Sequence, residues 1–338
     1  MKPTVLAVMF MVVFAHQVSA DERLKALSQA SCDFAQRLHF KLSFSTIESV
    51  DLEVVNAMLV NSDKPIEQQF KSDAESKYLA KIETFKPSEQ DAEKKINDYV
   101  SQKTYGEIRE IIKKGSINDQ TSVVLVSTLS FNATWQNEFD VSKTSKQPFT
   151  WENGKKEEVE MMNDTRIVLY KRDNQSEIDV IQMPFKGGRF AIYFALPRRV
   201  GQLAALEERL SEPGKSKELL EGLQPTTVEL AIPKFKIEKR FELKQSLREM
   251  GMEKAFEANS ADFKRLHISE VVHAAVFEIE ERGTRGSSAS VTEIESKSRP
   301  SVEEAQETFI ADHGFMFWVL DNSSSQVVFQ GSFNGQKK

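Results

Sequence analysis

A chain of 338 residues, 40% hydrophobic and 28% charged, has ordinary globular composition and is long enough for one large domain or two modest ones. Its net charge of −6 gives no reason to propose nucleic acid or an anionic membrane as a general partner. The single cysteine, Cys32, excludes an internal disulfide, so the core must come from packing.

The first residues read as a secretory signal. Lys2 is the positive start, residues 4–14 are an apolar run too short to span a bilayer, and Val18-Ser19-Ala20 offers the cleavage site. Residues 1–20 are then the signal peptide, and the mature, secreted chain starts at Asp21. Residues 23–43 follow as a helix, with Leu27, Phe34, Leu38 and Leu42 on one face. Cys32 lies inside it, and Ser28, Gln29, Ala35 and Gln36 bring no charge to lower its pKa, so it reads as a core residue.

Residues 52–60 are strand-like, and 66–82 read as a helix carrying Phe70, Tyr78 and Leu79. Ser88-Glu-Gln-Asp91 resembles a capping box for a helix with Ile96, Tyr99 and Val100 that continues with breaks to Ile112. The chain then turns β-rich, with strands predicted at 123–131, 158–162, 166–170, 178–184 and 189–196. Residues 204–223 are helical in part, and 227–237 form a strand with Lys234 and Lys236 on one face. A short helix at 243–250 ends at Gly251, and 271–280 is a strand. Residues 308–320 and 326–333 form a last apolar pair around a polar turn. Helices mostly early and strands mostly late favour one mixed domain.

Catalytic and metal chemistry is missing from the pattern. His16, His39, His267, His273 and His313 have no metal-ligand spacing, and no phosphate-binding loop, dinucleotide fingerprint or nucleophile elbow occurs. No cofactor and no metal are expected. Lys234, Lys236, Lys239 and Arg240 read as a solvated face. Four glycosylation sequons start at Asn132, Asn163, Asn174 and Asn322; the last two lie in polar, turn-like sequence.

Residues 282–305 form a long connection after a strand, which within a compact domain points to function or disorder. Thr284, Gly286, Ser288 and Ser290 alternate with Arg285, Ser287, Ala289 and Val291, so one face would carry only small groups if the stretch became a strand. The same composition suits a flexible, cut-prone loop.

Glu280-Glu281-Arg282-Gly283-Thr284 before that small-residue run resembles the hinge of the serpins. Residues 126–135 with Asn137-Glu138-Phe139-Asp140, residues 228–237, Met250-Gly251-Met252 with Ala261-Asp262-Phe263, Phe309-Ile310-Ala311-Asp312-His313-Gly314-Phe315 and Phe329-Gln330-Gly331 resemble further blocks of that family, in the same order. Gly314 stands where the family usually has Pro.

The resemblance implies an α+β serpin fold of mixed helices and antiparallel sheets, a single domain over 21–338, and an exposed reactive-centre loop. It implies a suicide substrate, not an enzyme: a protease acylates itself on the loop, and the cut loop enters the main sheet as a strand. Counting from Gly283 places the reactive bond at Lys297-Ser298, which suits a trypsin-like serine protease held as a covalent complex. Pro300 disfavours Arg299, and Arg282 and Arg285 lie too early for productive insertion. The implied hinge is Glu281, Gly283, Thr284, Gly286, Ser287, Ser288 and Ala289. Ser127 and His273 match the shutter, and Trp135 the breach, as structural elements of the opening sheet.

Besides Gly314, the chain departs from the family in three places. Several dozen residues expected between the first helix and residue 52 are missing, including the helix most used for heparin, so heparin is not an expected partner. Ser127 stands where Asn is usual, and Gly286 where Ala is usual. One large-to-small core change alone costs about 2–5 kcal/mol against a folding stability of about 5–15 kcal/mol, so a destabilised chain and a poor inhibitor are expected. The reading is a secreted monomeric inhibitor; its rivals are a non-inhibitory carrier or binding protein and an inactive truncated isoform.

Overall fold

The computed structural model describes residues 50–284 and 305–335, apart from 65, 67, 69–70, 73–74, 77–79, 87–91, 213, 250, 252 and 258–266. The signal segment, the first helix with Cys32, the junction before residue 50, Phe70, Tyr78, Leu79 and the capping box lie outside the described residues. The chain divides into two compact units, one containing Asp51–Phe131 and Glu238–Phe277, the other Asn132–Ile237 and Glu278–Lys338.

The strands in chain order are β1 (Val50–Asn61), β2 (Lys81–Phe85), β3 (Val123–Thr134), β4 (Ser145–Thr150), β5 (Lys156–Asp173), β6 (Ile178–Pro184) and β7 (Phe190–Pro197). They continue with β8 (Gln224–Pro233), β9 (Phe235–Glu242), β10 (Ile268–Glu280), β11 (Gly283–Thr284), β12 (Glu307–Ile310), β13 (Phe315–Asp321) and β14 (Gln326–Phe333). Among the described residues, helical positions occur at 68, 71–72 and 75–76, and the continuous α-helices are α1 (Ala92–Lys103), α2 (Leu203–Leu210), α3 (Lys215–Leu219) and α4 (Lys244–Glu249).

In the first unit β1 and β2 run parallel, and β3 pairs in parallel with β10 from Val123↔Ile268 to Ser130↔Val276. The start of β3 is apolar on both faces, as a strand covered on both sides must be. Ile96 and Val100 of α1 pack with Val55, Ala57, Leu59, Val124, Val126, Val272 and Val276. Two expectations change here. Ile82 lies in β2, not in a helix, and α1 stops at Lys103 rather than running on to Ile112. The Asn97 side chain explains the second: it accepts from the Ile111 and Ile112 amides and donates to the Ile112 carbonyl. Ile111 and Ile112 are thereby buried without a helix.

The second unit holds an eight-stranded sheet in the order β12-β8-β5-β6-β7-β13-β14, with β4 on β5. Helices α2 and α3 cover it through Leu203, Leu206, Leu210 and Leu219, packed on Ile178, Val180, Met316 and Trp318. The two strands expected at 158–162 and 166–170 are one, because Asn163-Asp164-Thr165 stays in register with Leu230 and its neighbours on β8. The strand expected at 227–237 is instead two, broken at Lys234 between Pro233 and Phe235. The segment expected at 308–320 likewise splits into β12, beside β8, and β13, beside β7 and β14.

Candidate functional site

β10 ends at Glu280, the chain turns through Glu281-Arg282, and β11 returns antiparallel to both β10 and β3. Only glycine serves at 283: its φ is +145°, and a Cβ would stand 1.9 Å from the Ala133 carbonyl oxygen. Thr284 is 4% exposed, and its hydroxyl accepts from the Ala133 amide at 2.5 Å and donates to the Ala133 carbonyl at 3.3 Å.

Trp135 is 2% exposed and stacks on Phe185, with ring centroids 4.7 Å apart. Its indole Nε1–H donates to the Glu280 carbonyl at 2.9 Å and its backbone N–H to Arg282 at 2.8 Å. The Phe139 amide donates to the Glu281 carbonyl at 2.9 Å. Three successive hinge carbonyls are thus each received by an N–H from residues 135–139, as buried backbone requires.

The Glu281 carboxylate is buried, 3.0 Å from Lys234 Nζ, and accepts from the Thr144 hydroxyl at 2.9 Å. Burial pushes its pKa up, but its own amide, Lys234 and Thr144 outweigh burial and hold it below the usual Glu value. Burial pulls the Lys234 ammonium down, and Glu281, Glu160 and Glu280 reverse this and raise it. The reading of Lys234 as part of a solvated face is therefore corrected. Lys236 pairs with Glu278 at 3.5 Å, and Arg240 donates to the Ile111 carbonyl at 2.6 Å while pairing with Glu242. Nothing local in the sequence signals this pair, because Glu281 lies far along the chain from Lys234.

Ser127 and His273 come together in the other unit, as direct partners across β3 and β10. His273 is 7% exposed; its Nδ1–H donates to the Ser127 carbonyl at 3.1 Å, and its ring stacks with Phe241. Burial pushes its pKa down to about 4 against the partial support of that carbonyl, so the ring is neutral at physiological pH. Ser127 thus contributes its backbone to this contact.

Lys297, Ser298, Gly286, Ser287, Ser288 and Ala289 lie outside the described residues. Asn132 is half-buried within β3. The Asn163 amide is engaged, donating to the Lys143 carbonyl at 2.8 Å and the Met161 carbonyl at 3.0 Å and accepting from Gln147 at 2.9 Å. Asn174 and Asn322 are exposed in turns. At Gly314 a Cβ would sit 2.5 Å from a Glu152 carboxylate oxygen and 3.0 Å from Leu203, so this packing accepts glycine where a larger residue is usual. Among the described residues no three His, Cys, Asp or Glu side chains gather as a metal site requires, and no helix is long and apolar enough to cross a membrane.

The fold, the strand-turn-strand hinge and the buried histidine between two parallel strands define a class. Residues 6–335 match the family model for serpins (serine protease inhibitors), and the chain belongs to that family. A leukocyte elastase inhibitor of Xenopus tropicalis is 28% identical over 332 residues, spanning 95% of this chain and 86% of its own length. The crystal structure of Serpin48 from the insect Tenebrio molitor superposes with a TM-score of 0.80 at 24% identity, covering all of this chain and 91% of that one. Thyroxine-binding globulin, solved with thyroxine, has a TM-score of 0.81 at 24% identity, covering 99% of this chain and 92% of its own.

Proposed function

We propose that the protein is a secreted suicide-substrate inhibitor of a trypsin-like serine protease, with Lys297-Ser298 as the reactive bond. The observation that carries this reading is β11: Gly283-Thr284 is already paired on one side with Thr134 and Ala133 and on the other with Glu280 and Ile279. The side chain of Thr284 is buried, so continuing the strand would carry Gly286, Ser288 and Ser290 onto the same buried side. Groups that small can enter a packed sheet without displacing its core. Secretion follows from the signal-like residues 1–20, with Asn174 and Asn322 as the glycan acceptors.

A second reading is a non-inhibitory relative whose loop is cut without trapping. Gly286, at a position where strand entry has an added entropic cost, and the missing segment before residue 52 favour it. Incubating the secreted full-length protein with trypsin separates the two. A denaturant-resistant complex that depends on Lys297, and is lost in Lys297→Ala, supports inhibition. Cleavage at Lys297 with protease activity retained overturns it.

A further inference from the structure

The residues that receive the hinge carbonyls belong to the connection between β3 and β4, and that connection needs an anchor of its own. It runs against β5, where Asp164 and Arg166 sit two residues apart and so share a face of the strand. The Arg166 side chain is 12% exposed and that of Asp164 3%. Arg166 Nε donates to Asp164 at 2.7 Å and its Nη2 lies 2.5 Å from the same carboxylate oxygen. The remaining donors face the connection: Nη1 donates to the Asn137 carbonyl and Nη2 to the Glu138 carbonyl at 3.3 Å. The guanidinium also lies over the Phe139 ring, 4.2 Å from its centroid. Lys143, at the far end of the connection, reaches Asp164 at 3.5 Å. Asn163 holds the same end through the Lys143 carbonyl and the Ser145 hydroxyl at 3.2 Å.

A buried ion pair is a poor route to stability, since apolar residues of like volume do as well. A guanidinium, however, has a rigid fork of donors that can grip a carboxylate and two carbonyls at once. We propose that Arg166, seated on Asp164, is a positioning residue. It fixes residues 137–139, so that Trp135 and Phe139 keep the Glu280, Glu281 and Arg282 carbonyls where the inserting strand must begin. Asn163, Asp164 and Arg166 together make this stretch of β5 a brace. The effect on trapping rests on the insertion reading above; the effect on the hinge does not.

Hydrogen exchange on the full-length protein tests the brace directly. In Arg166→Met an unbranched apolar side chain remains, but the donors and the guanidinium over Phe139 are gone. The Trp135 and Phe139 amides, which donate to Arg282 and Glu281, should exchange about 10- to 100-fold faster, the scale of lost charge-assisted hydrogen bonds. Amides of the β13–β14 pair, such as Phe317, should be unchanged. Arg166→Lys keeps the charge but cannot span both carbonyls, so it should fall between, and it carries the test if the Met variant does not fold. Unchanged exchange at Trp135 and Phe139, or equal acceleration at Phe317, overturns the proposal. With trypsin, Arg166→Met should be cut at Lys297 at the wild-type rate but with more inhibitor consumed per protease trapped. An unchanged ratio alongside faster exchange removes the link to insertion. If wild type traps nothing, the inhibitor reading fails while the exchange result still decides the brace.

Discussion

Strands β3 and β10 are held by two different chemistries along their length. Over Val123–Ser130 and Ile268–Val276 they pair directly, and the buried polar groups there are uncharged: the Ser127 and Thr128 side chains and a neutral imidazole giving one hydrogen bond to a carbonyl. At Ala133–Thr134 and Ile279–Glu280 β11 pairs with both, and the surroundings are charged: Glu281 with Lys234, and Arg166 with Asp164. An apolar ladder with a neutral histidine closes without directional demands beyond its register. A point where a strand begins between two others needs every carbonyl placed, and fixed charges with N–H donors do that.

The largest test of this contrast is on the aromatic residues. Trp135→Ala should cost about 3–5 kcal/mol, as for deletion of a fully buried aromatic ring, and it also strips the Glu280 carbonyl of its donor. Phe241→Ala beside His273 should cost only about 1 kcal/mol, because the ring is half-exposed. Urea unfolding midpoints at constant slope measure both. Equal losses would mean that the hinge end is no more tightly determined than the ladder end.

Most of the ladder and little of the hinge's electrostatics was legible in the sequence. β3 and β10 are long apolar runs, and Glu281, Gly283 and Thr284 stand in a motif resembling the family's hinge, with Trp135 in another resembling its breach. Lys234 escaped because strand alternation places it beside Lys236 and reports nothing of Glu281, far along the chain. Asp164 looked like part of a polar break between two strands and Arg166 like the start of the second, since a pattern cannot distinguish residues that interrupt a sheet from residues that brace a neighbouring segment. Asn163 matched a sequon, yet its amide is spent on the Lys143 and Met161 carbonyls. The splits at Lys234 and at residues 311–314 depend on which strand each half pairs with, a tertiary choice that period-two patterning does not contain.

Acid sharpens the contrast. The folded His273 has a pKa of about 4, against 6.5 when exposed, so the unfolded chain binds the proton that the folded chain refuses. Its contribution is complete above 6.5 and is lost as pH falls toward 4, amounting to up to about 3 kcal/mol by 1.36 kcal/mol per unit. His273→Phe should flatten that limb of a stability-against-pH curve measured by denaturant unfolding. A limb that persists unchanged in the variant would assign it to other groups.

The smaller of the two pH-dependent effects is at Glu281, and it falls in a different window. Its folded pKa is lowered, so its stabilisation is present above the ordinary Glu value of 4.5 and is lost as pH falls through the folded value. Glu281→Gln should cost about 1–2 kcal/mol at neutral pH, less than a fully buried pair would, because the Lys234 side chain is 29% exposed and Glu160 remains 3.9 Å away. Near about pH 5.5 wild type and Glu281→Gln should lose stability in parallel, since Glu281, its pKa held below the ordinary Glu value, stays ionised there while His273 takes up its proton on unfolding. In stronger acid the two curves should converge, as the wild-type carboxylate takes up the proton that makes it resemble the amide. Convergence already at the His273 limb would mean that one coupled titration governs both ends of the strand pair, and the division between a neutral ladder and a charged hinge would fall.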